Sequence, residues 1–479
     1  MYSFLLSIAA LIVGYVIYGK ITEKVFGIDT QRATPAIANP DGVDYVAMPW
    51  WRVFLIQFLN IAGLGPIFGA IMGVMFGAAS FLWIVLGTIF AGGVHDYLSG
   101  MMSIRTNGAS QSEIVGMQLG NGVKQFMRVF SLALMVLVGA VFVSGPAGLL
   151  AKLTPETVSV TWWIVIVFVY YMLATMLPID KVIGKIYPLF GFALLFMAGG
   201  IFVALLINKA PIPEFTDGFA NLHPKHLPIF PMMFVSIACG AISGFHATQS
   251  PLMARCIENE KLGRRVFFGS MVAEGIVALI WAAAASSFYG SIADLQAFVS
   301  SLPASVNAPA QVVDQISKTW LGPVGGVLAL LGVIAAPLTS GDTALRSARL
   351  IAADFLKYDQ KPILKRLVIS IPLFIITFLM LQMDFNVLWR YFAWFNQTLA
   401  VFTLWAITVY LSKENKFYGI SLIPAMFMTA VTVSYILFAP EGFGFSLIIS
   451  TTIGIGVAFI IFGLFLSKNK DFKSKEKSY

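Results

Sequence analysis

Ser236-Ile-Ala-Cys-Gly-Ala-Ile-Ser-Gly-Phe-His-Ala-Thr-Gln-Ser-Pro251 is the stretch that decides how this chain is read. Its length and its flanks, Pro231 and Arg255, make it a membrane span. Its centre nevertheless holds Gly240, Ser243, Gly244, His246, Thr248 and Gln249 in place of lipid-compatible residues. Irregular or polar backbone survives at membrane depth only where it is buried in protein or lines a watery cavity. A hydrophobic span interrupted at its middle marks a discontinuous transporter helix, so a substrate or ion site is expected here.

The rest of the composition agrees with a membrane setting. Of 479 residues 58% are hydrophobic and only 11% charged, with a mean hydropathy of +0.84. Apolar runs of roughly 20 residues recur from Phe4 to Leu466, which predicts a single polytopic, all-α transmembrane domain. The net charge of +8 comes from loop residues, so it is a topology signal and not a nucleic-acid footprint. Cys239 and Cys256 form no CxxC pair and no disulfide framework. The segment 1–19 lacks a basic leader and a cleavage site, and is expected to be a retained helix.

About thirteen spans are predicted, near 2–19, 53–76, 79–104, 127–150, 160–178, 186–207, 231–254, 266–289, 322–345, 362–382, 386–411, 418–438 and 445–467. With the N-terminus outside and the C-terminus in the cytoplasm, 26 of the 31 Lys and Arg residues fall on the inner side. The basic run 468–479 is then a cytoplasmic tail.

A second anomaly matches the first. In the span 53–76 the midpoint falls on Gly63-Leu-Gly-Pro66, and in the span 231–254 it falls on Ser243-Gly244. The two spans lie five apart and therefore run in opposite directions. Such pairing predicts an inverted repeat of two five-helix halves, 53–207 and 231–411, with broken helices near 62–66 and 240–249. One extra helix precedes the halves (1–19) and two follow (418–467). Val143-Ser-Gly-Pro146 and Leu338-Thr-Ser-Gly-Asp342 form a weaker echo, again five spans apart. Between the spans, 290–320 is expected to pack as an outer lid, and 106–126 as a gating loop or an ordinary one.

Asp41-Gly-Val-Asp-Tyr45, Ile61-Ala-Gly-Leu-Gly-Pro-Ile67, Ile237-Ala-Cys-Gly-Ala-Ile-Ser-Gly-Phe-His246 and Thr339-Ser-Gly-Asp-Thr-Ala344 together resemble the carbon-starvation protein A family of bacterial uptake transporters, in its shorter branch. The resemblance runs from Tyr18 to about Asp354. Two departures stand out: Gln57-Phe-Leu replaces the His-His-Phe of larger members, and Ala70 replaces a proline. The resemblance implies the amino acid–polyamine–cation superfamily and a leucine-transporter-like fold in the inner membrane. It also implies uptake of pyruvate or a related small carboxylate with protons, or alternatively of di- and oligopeptides, in carbon starvation. A proton is favoured over Na⁺ as coupling ion, and no bound cofactor is expected.

Individual residues carry the site. Ala62, Gly63, Leu64, Gly65 and Pro66 permit a non-helical turn and a restarting half-helix whose free amides suit a carboxylate. Close packing through small residues is the competing account. Ser243, Gly244, His246 and Gln249 are the matching substrate contacts. His246 would take the coupled proton or bind the carboxylate, against the simpler role of a neutral, hydrogen-bonded histidine. Glu274 lies ~13 Å into its span at 1.5 Å per residue, too deep to be cheap unless protonated or paired. Thr339, Ser340, Asp342 and Thr343 bring oxygens onto one turn, a possible Na⁺ cage with carbonyls freed near Ala62. Asp342 would otherwise carry a proton or pair with Arg346. His95 and Asp96 are expected as a gate pair towards the cytoplasmic end, and Gln57, Asn60 and Asn396-Gln397-Thr398 as polar lining or interhelical bonds. An intramembrane enzyme is the remote alternative: HExxH, GxSxG and a nucleotide loop are all missing.

Overall fold

A computed structural model describes residues 1–476 apart from 43, 156, 177–178, 210, 304–305, 359 and 361, with the side chains of 179–188, 386 and 470–476 also left out; the end of the basic tail, 477–479, lies outside them. Every regular element among the described residues is a helix. Ten helices are long and apolar enough to cross a membrane. An eleventh span is the pair Trp50–Ile61 and Gly65–Phe76, bent by 55°. Two shorter segments stand where the charge pattern expects crossings: Val160–Met176, and the interrupted run Ile229–Met233, Phe234–Ser236 and Gly244–Ala254. Counted with these, the described residues hold thirteen segments, numbered so below.

Several helices outrun the hydrocarbon. The first continues to Phe26, the ninth (Ala308–Leu356) begins and ends well beyond 322–345, and the last (Leu447–Glu476) carries on through the lysine run. Good helix formers at the flanks prolong a helix that is already nucleated. A left-handed Gly322 (φ 68°) divides the ninth, setting an amphipathic piece from Ala308 apart from the crossing part.

The two interrupted spans cross at their interruptions. A Cβ on Gly65 would collide with Cys239, one on Gly69 would sit 2.9 Å from the Ser236 carbonyl oxygen, and one on Gly240 would sit 3.7 Å from the Pro66 Cα. The first break is at Ala62–Leu64, as expected, with Pro66 in the first turn of a π-helical restart, Gly65–Gly69. The second differs from expectation. It occupies 237–243, not 240–249, because Ser243 is extended (φ −146°) and Gly244 already begins the restarted helix. His246, Thr248 and Gln249 are polar residues on a regular helix. Their polarity marks what the helix faces, and Gly240 and Ser243 mark where it stops.

Freed carbonyls at both breaks find donors on other spans. Ser340 Oγ donates to Leu59 O (2.9 Å) or Asn60 O (3.0 Å) at the first. Thr88 Oγ1 donates to Gly240 O (3.1 Å) and Trp83 Nε1 to Ile237 O (3.4 Å) at the second. The weaker echo leaves both helices continuous. Pro146 cannot bond to Phe142 O, and the Tyr171 hydroxyl lies 2.8 Å from that oxygen and 2.8 Å from Pro337 O, joining spans four, five and nine.

Gly65→Ala should therefore lower the thermal midpoint of the detergent-solubilised protein, costing about 1–3 kcal/mol by overpacking. Gly148→Ala, with nothing within 4 Å of its Cβ, should leave the midpoint unchanged. Equal melting of the two variants would contradict the crossing.

Candidate functional site

Beneath the crossing lies a buried string of acid–base side chains. Asp96, on the third span (Ala79–Arg105), has Oδ1 at 2.7 Å from His95 Nδ1 and Oδ2 at 2.8 Å from His246 Nδ1. On its other edge His246 places Nε2 3.3 Å from Glu274 Oε2 of the eighth span (Glu260–Phe288). All four side chains have no solvent exposure. The restarted half of the seventh span thus carries His246 between two carboxylates from different helices.

Proton positions follow from donor–acceptor logic. An ionised carboxylate only accepts, so both Nδ1 atoms carry hydrogen and give it to Asp96. Neutral His246 then offers only a lone pair at Nε2, facing an oxygen of Glu274. Two lone pairs at 3.3 Å inside a dry core repel unless a proton lies between them. Either Glu274 is a carboxylic acid or His246 is an imidazolium. Neither Glu274 oxygen has a hydrogen bond to any other described group. The contact therefore calls for one proton between His246 Nε2 and Glu274.

The restart above it is capped from another helix. Asn396 Oδ1, on the eleventh span (Phe385–Lys413), accepts from Ser243 Oγ (3.0 Å) and from the Phe245 amide (2.6 Å), while its Nδ2 lies 3.1 Å from Cys239 Sγ. A side-chain oxygen on the second amide of a helix is an N-cap, here supplied in trans. Gly244 allows it, since a Cβ would strike Ala400 N and lie 2.4 Å from Asn396 O.

The expected residues separate into groups. Ala62, Gly63, Leu64, Gly65 and Pro66 are buried at the first break, with Phe142 2.6 Å from a Cβ built on Gly63. Ser243 and Gly244 meet Asn396 and its helix, while His246 meets Glu274, and His95 and Asp96 join that cluster instead of standing apart near a mouth. Gln249 Nε2 donates to Thr248 Oγ1 (2.9 Å), leaving Oε1 unpartnered. Thr339 and Ser340 face the carbonyls of Leu59 and Asn60, one turn before Ala62. Thr343 bonds within its own helix, and Arg346 Nη2 donates to Ala174 O at 2.6 Å. Among the described residues no three His, Cys, Asp or Glu side chains converge as metal ligands.

Sequence reasoning treated Asp96 as half of a local pair and missed it as the acceptor shared by two histidines. A signal was present. Gly87, Gly92, Gly93 and Gly100 give the third span a small-residue face, and it packs on Ala241, Met271, Phe268 and Phe267 of the second break and the eighth span. The trans cap by Asn396 had no such signal.

Comparison with known proteins bears on this arrangement. Residues 1–161 and 149–319 match the family described as Carbon starvation protein CstA. An uncharacterized membrane protein of Haemophilus influenzae is 42% identical over 347 residues, 62% of this chain and 94% of that one. A peptide transporter CstA of Helicobacter pylori is 25% identical, over 88% of this chain and 79% of its own. A pyruvate/proton symporter, BtsT, of Escherichia coli is 26% identical over 58% of this chain and 48% of its own. In architecture, the manganese transporter of Eremococcus coleocola superposes with a TM-score of 0.54 at 12% identity, covering 91% of this chain and 99% of that one. That likeness supports a helical membrane-transporter fold and nothing about cargo.

Asn396→Ala should destabilise the protein by about 1–2 kcal/mol through loss of the cap. Asn396→Asp, which keeps the accepting oxygen, should recover most of that. Thermal melting reads both, and a wild-type midpoint in the alanine variant would rule out the trans cap.

Proposed function

The chain belongs to the carbon starvation protein CstA family, and on that premise we propose that it imports a small carboxylate, pyruvate or a near relative, together with a proton. It would do so by alternating access around the crossing of the second and seventh spans, with the N-terminus outside and the C-terminus in the cytoplasm. The observation that carries the reading is the His246–Glu274 contact, which needs one proton and sits in a buried chain running on to Asp96 and His95. A proton taken up or given away here changes the charge of the helix that restarts at Gly244. The substrate's carboxylate would be held at the breaks, beside the positive end of the half-helix that restarts at Gly65. The Escherichia coli relative named a pyruvate/proton symporter supports the same pair of cargoes.

In this mechanism Asp96 orients His246 by fixing its Nδ1 proton, so that only Nε2 exchanges. Glu274 is the partner whose protonation state alternates. When His246 is an imidazolium between two carboxylates the cluster is compact and paired. When the proton leaves, Glu274 and His246 Nε2 repel, and the restarted half-helix is driven away from the eighth span. Coupling then rests on a substrate carboxylate that binds well only while the extra proton is present.

Peptide uptake is the second reading, favoured by the length of the match to the Helicobacter pylori peptide transporter. Na⁺ is the alternative coupling ion, with Ala62, Thr339, Ser340 and Asp342 as its oxygen donors. Ser340 already spends its hydroxyl on the carbonyls such a cage would use.

Proteoliposomes given a pH gradient should accumulate labelled pyruvate, and a Na⁺ gradient alone should not drive it. Glu274→Gln, fixed in a proton-bearing form, should lose uphill accumulation by at least tenfold yet keep pyruvate–pyruvate counterflow. His246→Ala should lose both. Accumulation of a dipeptide but not pyruvate would replace the carboxylate reading, and full uphill transport by Glu274→Gln would remove the proton site.

A further inference from the structure

On the face of the membrane that carries residues 106–126, a cavity of ≈ 110 Å³ opens beneath the restarted half of the seventh span. Four elements meet around it: the short helix Gln111–Leu119, the fourth span (Asn121–Leu153), Gly244–Ala254 and the far end of the ninth. Its walls include Gln111, Ser131, Thr248, Ser347, Arg255 and Asp354. At a share of ~30 Å³ per water, the space takes about four waters, or a three-carbon acid with a water beside it.

Three polar atoms on this wall are buried and without a hydrogen-bond partner: Ser131 Oγ, Ser347 Oγ and Gln111 Oε1. These residues are only 1%, 5% and 4% exposed. A buried polar atom left unpaired is costly, so three on one small cavity imply an occupant that pairs them. Gln111 is fixed in place because its Nε2 donates to Thr403 Oγ1 at 2.9 Å, which turns Oε1 out as an acceptor. Thr248 donates to Phe245 O at 2.7 Å and accepts from Gln249 Nε2 at 2.9 Å, so its hydroxyl is already engaged on the protein side. Arg255 supplies positive charge at the rim, where Nε (3.0 Å) and Nη2 (2.8 Å) hold Gly108 O.

We propose that this cavity is a second substrate subsite, in which the hydroxyls of Ser131 and Ser347 donate to the carboxylate of a small organic acid while a water satisfies Gln111. Thr248 lies two residues beyond His246 on the same helix, about 200° round it, so the subsite and the acid–base string lie on different faces of the restarted half-helix. The subsite is the place where substrate rests after the proton has been exchanged and before it leaves past Arg255. Asp354, seven residues beyond Ser347 on the same helix, adds a carboxylate to the lining that keeps a second anion from being held tightly. This subsite rests on the carboxylate-transport reading above, but it can fail separately.

Two measurements on the full chain test it. In the first, Ser131→Ala and Ser347→Ala should each raise the half-saturating pyruvate concentration, measured from the side carrying residues 106–126, by roughly fivefold to tenfold. Ser347→Thr, which keeps the hydroxyl, should restore it. In the second, Ser347→Cys, or Ser131→Cys where the first is poorly expressed, is labelled with a small methanethiosulfonate, and pyruvate should slow labelling at least threefold. Wild type, whose two cysteines are buried, is the background control. Pyruvate uptake by wild type with unchanged half-saturation in both alanine variants and no protection of either cysteine would overturn the subsite alone. Protection in a protein that never accumulates pyruvate would leave the subsite standing and overturn the coupled-transport reading.

Discussion

Two interrupted backbones cross so closely that a methyl group does not fit between Gly65 and Cys239, and most of the structure follows from making that crossing tolerable. Inside a membrane each freed carbonyl must find a donor that is not lipid. The donors come from other spans: Ser340 for the first break, Thr88 and Trp83 for the second, and the Tyr171 hydroxyl for the carbonyl that Pro146 leaves open. Each fixes a neighbour. Spans three and nine are held against the breaks by side-chain hydrogen bonds, and the fifth joins the fourth and ninth through one tyrosine. The polar residues scattered through an otherwise apolar sequence are, to a large part, the fittings of the crossing.

Charge is placed under the same constraint. An isolated carboxylate or imidazolium in this core would cost several kcal/mol, and pairing recovers that only with good geometry. Asp96 meets the condition with both oxygens engaged at 2.7 Å and 2.8 Å. Glu274 does not: it has one close polar neighbour at 3.3 Å, out of hydrogen-bond alignment, and no other bond. The string is thus well satisfied in its middle, at Asp96, and open at both ends, where His95 Nε2 and the Glu274 oxygens have no hydrogen bond among the described residues. A purely structural ion network would be finished at both. An unfinished end beside a histidine is what an exchangeable proton requires, because a fully bonded site would hold its proton too firmly to release it.

Much of this was legible in the chain. Glycine and proline at mid-span located the first break, since those residues mark backbone geometry directly. The alternation of Lys and Arg between loops supplied the count of segments, even where Val160–Met176 is short and 229–254 is interrupted. The second break was misplaced by a few residues because polarity was taken for irregularity: His246, Thr248 and Gln249 sit on sound helix. His246 and Glu274 stood out singly, as ionisable groups at depth. Their contact, and the sharing of Asp96 across 150 residues of chain, depends on how three helices pack. Asn396 was least legible, because a polar residue on an amphipathic helix looks the same whether it caps another helix or lines a groove.

That cap joins the fold to the proposed cycle. The amides of the restart at Gly244 need an acceptor, and Asn396 provides it from a different span. His246 lies one residue past Phe245, whose amide Asn396 holds. Any displacement of the eleventh span relative to the seventh must either carry the restart with it or strip the cap from it. In the first case His246 moves with respect to Glu274 and Asp96, whose helices lie on the other side. In the second the exposed amides become a carboxylate site. Both routes tie the position of one helix to the charge state of another. A rigid pore has no use for that linkage, and a carrier that must exchange a proton with every change of access does.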